Sequence, residues 1–120
     1  MKFMLLIHNR PGFVEELTEA ERTELFGDVT TLMTELTASG ELIGTEALAD
    51  PVNTRTVRVR DGVPVVTDGP FVEAKEHFAG YLLLECDSLD RAIDIAARWP
   101  DAKRWAMEVR PVMTGSGTEM

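Results

Sequence analysis

His8, His77 and Cys86 are the only imidazoles and the only thiol in the 120 residues, which makes them the first candidates for acid–base or metal chemistry beside the carboxylates. His8 closes the apolar run Phe3-Met4-Leu5-Leu6-Ile7 and, with that run extended, lies on the same side as Met4 and Leu6. There it can serve as a general base or proton donor, with Tyr81, Glu108 and Arg110 as neighbours on adjacent strands. The competing reading is a hydrogen-bonded histidine at a strand end, since the sequence shows no group that orients the ring. Asp68 precedes Gly69-Pro70-Phe71, and a carboxylate at a strand terminus beside a cleft can act as base or ligand. An Asx-type turn explains the same residues: aspartate bonds the backbone, glycine supplies unusual dihedrals and proline fixes φ.

Glu73 and His77 stand four apart, with Glu76 adjacent to His77. On a helix that spacing aims both side chains at one metal. Neither histidine has a second His or a Cys at ligand spacing, so a solvated polar loop is the better reading and no metal is expected. Arg55, Arg58 and Arg60 can clamp an anionic substrate. On an exposed edge strand the same charges discourage edge-to-edge aggregation. Cys86 alternates with Leu82 and Leu84 and reads as a small core residue. No glycine-rich dinucleotide fingerprint, phosphate loop or nucleophile elbow occurs in the sequence, and no cofactor is expected.

Positioning these residues falls to one domain, the usual outcome for this length. Hydrophobic residues at 44% and charged residues at 28% place the chain with globular proteins rather than disordered ones. Acidic residues outnumber basic ones by 21 to 12, for a net charge of -9. Phosphate backbones and anionic lipid surfaces repel such a chain, so neither nucleic acid nor membrane is an expected partner. A single cysteine suits a reducing compartment, and the amino-terminal apolar run is too short to span a membrane. The cytoplasm is the expected location.

Phe3–His8 reads as a strand ended by Asn9-Arg10-Pro11-Gly12. Thr18 with Glu21 fits a capping box for a helix carrying Leu25, Val29, Leu32, Met33 and Leu36 inward, with Gly40 as its left-handed stop. Residues 41–48 form a second strand. Residues 54–67 form a hairpin turning at Asp61-Gly62, with Val57 facing the same way as Val66 and with Arg58 and Arg60 opposite, a half-buried flap. Residues 78–86 make a further strand. A second helix capped by Asp87 or Ser88 carries Leu89, Ala92, Ile93 and Ala96 inward and ends at Trp99-Pro100. Residues 104–112 form the last strand, with Trp105, Met107 and Val109 on one side and Glu108 and Arg110 on the other. Residues 1–113 form the domain and 114–120 a frayed tail.

The order β-α-β, hairpin, β-α-β is the ferredoxin-like α+β arrangement, with both helices on one face of an antiparallel sheet. Its first and third main strands are central, and these are the strands apolar on both sides. Met4, Leu6, Tyr81 and Leu83 then form an apolar patch on the face without helices, and a two-fold pairing of sheet faces is the simplest cover. A homodimer through that open face is expected.

Asp68-Gly69-Pro70-Phe71 with Glu73, Lys75 and Glu76 resembles the YCII-related family, in its DGPF-type branch. The opening strand, the segment from Thr56 to Phe71 and the closing Glu108-Val109-Arg110-Pro111-Val112 are similar to the family's blocks in the same order. The resemblance implies a dimeric α+β barrel and a mostly uncharacterised function. Some relatives are fused to regulatory proteins of the sigma-factor type. In one branch a His–Asp pair is the proposed catalytic unit, and one relative eliminates chloride from a chlorinated hydroquinone. Here the helix holds no histidine: the matching position falls near Val29, and Asp28 beside it has no imidazole, so the dyad does not carry over. The expectation is a domain that binds or transforms a small organic molecule in a cleft at the dimer interface. Its rival is a non-catalytic dimerisation or regulatory module.

Overall fold

The structure, a computed structural model, describes residues 1–72 and 74–113. Strand β1 (Lys2–Asn9) leads through a 3-10 turn at Phe13–Glu16 into helix α1 (Glu19–Ser39). Both bonds of the expected capping box are present: Glu21 N–H donates to Thr18 Oγ1 at 3.1 Å, and Thr18 N–H donates to Glu21 Oε1 at 2.8 Å. Gly40 ends the helix at φ 79°, where a side chain would be strained. Strand β2 (Leu42–Ala47), a 3-10 turn at Pro51–Asn53, and strands β3 (Arg55–Arg60) and β4 (Val63–Asp68) follow. Then come β5 (His77–Glu85), α2 (Leu89–Arg98), a single-turn helix α3 (Asp101–Arg104) and β6 (Ala106–Pro111).

The main sheet runs β2-β5-β1-β6, antiparallel at each pairing, which is the ferredoxin-like order. Both central strands are the ones apolar on two sides. Phe3, Leu5, Leu82 and Leu84 face the helices and pack with Leu32 and Leu36 of α1 and Ala92, Ile95 and Ala96 of α2. Met4, Leu6, Tyr81 and Leu83 point the other way and are half-buried. Thus the α+β architecture agrees with the sequence reading. Among the described residues no helix is long and apolar enough to cross a membrane.

Three local expectations are corrected. On α2, capped by Ser88, the buried residues are Ala92, Ile95 and Ala96, while Leu89 and Ile93 are exposed, because the face that packs on the sheet core is centred on Ile95. Trp105 is not on the last strand. It ends α3 and meets Phe13 edge-on at 4.6 Å between ring centres, in a small satellite core with Leu17 and Leu25. The hairpin is exposed throughout β4 and at every position of β3 except half-buried Thr56, rather than forming a half-buried flap. It pairs only within itself, as a separate two-stranded sheet, with Val57 opposite Val66 as expected. Its turn residues Asp61 and Gly62 both have positive φ, 51° and 77°, matching the twist of the strands they join. Its projection is visible in the dimensions, 49 × 45 × 19 Å, and in a radius of gyration of 16.6 Å. A compact chain of this length would have a radius of gyration of about 14 Å.

A bidentate ion pair ties α2 to the start of β2. Arg91 Nε donates to Glu41 Oε2 at 2.9 Å and Arg91 Nη2 to Oε1 at 2.8 Å, while Ser39 Oγ donates to Oε1 at 2.8 Å. These donors hold the Glu41 carboxyl down at about 2. Cys86 is buried as a small core residue, and burial pushes its thiol up.

Candidate functional site

Strand alternation gives the end of β1 two chemical faces. Odd residues up to Ile7 face the helices, and Asn9 continues that side. Even residues Met4, Leu6 and His8 face the open side.

On the helix side, Asn9 Nδ2 donates to Asp101 Oδ2 at 3.0 Å. Asp101 is the only buried charged residue among those described, at 5% exposure. Burial pushes its carboxyl above the usual aspartate range, against the Asn9 amide, the Arg104 charge and the Trp99 side chain. The pair sits at the side of a cleft of about 470 Å³ between α1 and the end of the sheet. Most of its remaining lining is apolar, Phe13, Val14, Phe26, Val29 and Met33 among it, with Thr45 and Glu46 of β2 at the sheet edge. Phe26 is 53% exposed although it lies mid-helix, which leaves the cleft open to solvent on that side. A small apolar cleft with a few convergent polar groups is the usual form of a small-molecule site. Val29, where the resemblance would place a histidine, forms part of the wall. Asp28 lies in a different surface groove with Glu24, Arg98 and Arg104.

On the open side, His8 Nε2 lies 2.5 Å from Glu108 Oε1. Glu108 thus provides the orienting group that the sequence did not reveal. Strand pairing sets Glu108, Leu6, Tyr81 and Glu46 in one row across all four strands. Arg110 falls in the next row, opposite Met4, away from the histidine. The His8 ring leans on Phe78 at 6.1 Å, because an irregularity in the β1–β5 register brings Phe78 opposite it. Hence His8, Glu108 and Tyr81 share one end of the open face.

Asp68 is elsewhere. It pairs with Arg55 at 3.1 Å across the base of the hairpin and is highly exposed. Gly69, at φ 91°, takes the unusual dihedral the turn requires, and its N–H donates to Thr54 O at 2.8 Å. Five clefts among the described residues are lined by other side chains, none of them by both His8 and Asp68. Glu73 lies outside the described residues, as do 114–120. Among the described residues no three His, Cys, Asp or Glu side chains gather as metal ligands.

Sequence reasoning missed Asn9 and Asp101. Asn9 stood in a turn signal and Asp101 followed Trp99-Pro100, so both had a sufficient local explanation. Nothing in their spacing, 92 residues apart, announces that they meet.

The fold and cleft define a ferredoxin-like α+β domain with a helix-side pocket. The family model for the YCII-related domain matches residues 1–115, and the chain belongs to that family. An uncharacterised protein of Rhizobium meliloti (strain 1021) is 29% identical over 114 residues, covering 93% of this chain and 92% of its own. Among solved structures, the fold is similar to 5-chloro-2-hydroxyhydroquinone dehydrochlorinase (TftG) from Burkholderia phenoliruptrix AC1100, in complex with 2,5-dihydroxybenzoquinone. The match has a TM-score of 0.52 at 15% identity and covers 99% of this chain and 100% of that one.

Proposed function

We propose that this domain binds a small ring compound carrying hydroxyl or keto oxygens in the cleft between α1 and the end of β1. The observation that carries this is the Asn9–Asp101 pair, a buried carboxyl at the side of a cleft whose lining is mostly apolar. Apolar walls favour the ring, while the carboxyl accepts from a ligand hydroxyl or, when protonated, donates to a keto oxygen. With Val29 in place of an imidazole, proton exchange with Asp101 is the chemistry the cleft itself offers. A neighbour of the same fold is bound to 2,5-dihydroxybenzoquinone, a compound of this class and size.

The test is a thermal-shift series with 2,5-dihydroxybenzoquinone, hydroquinones, phenols and benzoic acids. Stabilisation of the wild type that is lost in both Val29→Phe and Asp101→Asn is the expected result. Absence of stabilisation by every compound, with unchanged amide NMR shifts around the cleft, overturns it.

A second reading is favoured by the 2.5 Å contact of His8 with Glu108. In it the ligand lies on the open face, between two protomers of a homodimer, with His8 as the proton-transfer group and Tyr81 and Arg110 as binding residues. Asp68 would join such a site only from a second copy's hairpin. The two readings separate on His8→Gln, which abolishes ligand stabilisation in the second and leaves it intact in the first. A dimer with no response to any compound leaves the non-catalytic dimerisation or regulatory module, such as one acting with a sigma-factor-type regulator.

A further inference from the structure

We infer that the β3–β4 hairpin is an arm that docks on the open sheet face of a second copy of this chain, its Arg58 and Arg60 meeting the acidic row that ends in Glu46 and Glu108. The inference rests on the open-face reading and is independent of the cleft beneath α1.

One face of the hairpin is apolar and the other mixes arginine with valine. Strand pairing puts Val57, Val59, Pro64 and Val66 on one face and Arg58, Arg60, Val63 and Val65 on the other. Val57, Val59, Val63 and Val66 are 60%, 62%, 59% and 59% exposed. A lone two-stranded hairpin is marginal in water, and nothing among the described residues packs on this one well enough to bury it. A segment so made is completed by contact with another molecule.

Charge selects the occupant. The chain carries -9 overall, yet β3 holds three arginines within six residues. Asp68 offsets Arg55 across the hairpin base, which leaves Arg58 and Arg60 as a local basic patch beside Val63 and Val65, with Arg58 lying 4.8 Å over the Phe71 ring. The open sheet face offers the matching pattern: Leu6 and Tyr81 in the middle of a row, with glutamates at both ends. Both halves of the match lie on one chain, so a two-fold axis satisfies each of them twice. The arm then sets a cation near the His8–Glu108 pair, and the open-face site is incomplete in a single protomer.

The test uses two charge-reversed full-length variants, Arg58→Glu/Arg60→Glu and Glu46→Arg/Glu108→Arg, followed by sedimentation velocity. Each alone is expected to self-associate at least about tenfold more weakly than the wild type. Their equimolar mixture restores the dimer, because the heterodimer matches charge at both contacts, and the fourfold variant restores it alone. A monomeric wild type, undiminished association of either variant, or failure of the mixture to recover overturns the inference. Hydrogen exchange of the wild type adds an arm that needs no substitution. Hairpin amides are expected to lose protection on dilution together with the dimer, and exchange there that ignores concentration overturns it. Ligand stabilisation at the α1 cleft is read separately and does not move with these outcomes.

Discussion

Asn9 donates its side-chain amide to the buried carboxyl of Asp101 at 3.0 Å, joining the end of the first strand to the turn after the second helix. This contact both closes the fold and supplies the polar side of the cleft. Replacing Asn9 by Ala removes a donor from a buried acceptor, and the expected loss is about 1–3 kcal/mol in urea unfolding.

Asp101 also predicts a pH dependence. Burial raises its carboxyl in the folded chain above its unfolded value, so folding favours the protonated form. That contribution is complete below the ordinary carboxylate range and is lost as pH rises from the unfolded toward the folded value. The difference in Tm, wild type minus Asp101→Asn, is expected to fall as pH rises from about 3 to about 7. A difference that stays flat or grows contradicts the burial argument.

Glu41 has the opposite sign. Bonded by Arg91 and Ser39, it titrates at about 2 rather than 4.5. Its stabilisation is present above the unfolded value and lost as pH falls through the folded one. Because Arg91 is partly solvated, Glu41→Gln is expected to cost about 1–2 kcal/mol at neutral pH, with the deficit closing as pH approaches 2. Chemical unfolding at a series of pH values checks it.

Gly80 is buried where β5 passes β2, and a Cβ there would lie 2.6 Å from the Glu46 carbonyl oxygen. Backbone cannot yield as a side-chain tip can. Gly80→Ala is expected to destabilise by about 1–3 kcal/mol and to raise exchange at the β2 amides.

The contact of His8 with Glu108 fixes a tautomer. A carboxylate at Nε2 requires the proton there, which leaves Nδ1 as the acceptor in the neutral ring. Long-range nitrogen–proton NMR is expected to show the Nε2–H form, and Glu108→Ala to return the ring to a mixture.

Much of the fold was legible because its signals are local or periodic. Thr18 with Glu21, Gly40 and the Asp61-Gly62 turn each act through neighbouring backbone, and two-sided apolar strands reveal their central position. The phase of α2 was not legible, since Ile93 is as apolar as Ile95 and either could face the sheet. Trp105 was misplaced because a single helical turn leaves no periodicity. Of the candidate site, His8, Tyr81 and Glu108 were placed near one another by strand alternation and topology. The cleft was not, because Asn9 and Asp101 meet only through tertiary packing.

The alternation along β1 has an evolutionary corollary. His8 and Asn9 are consecutive, yet each serves a different surface, so the two surfaces are geared to a single register. Inserting or deleting one residue upstream in that strand would trade them, sending the imidazole under α1 and the amide out to the flat side. Point substitutions can retune either surface alone. Length changes in this strand must alter both together.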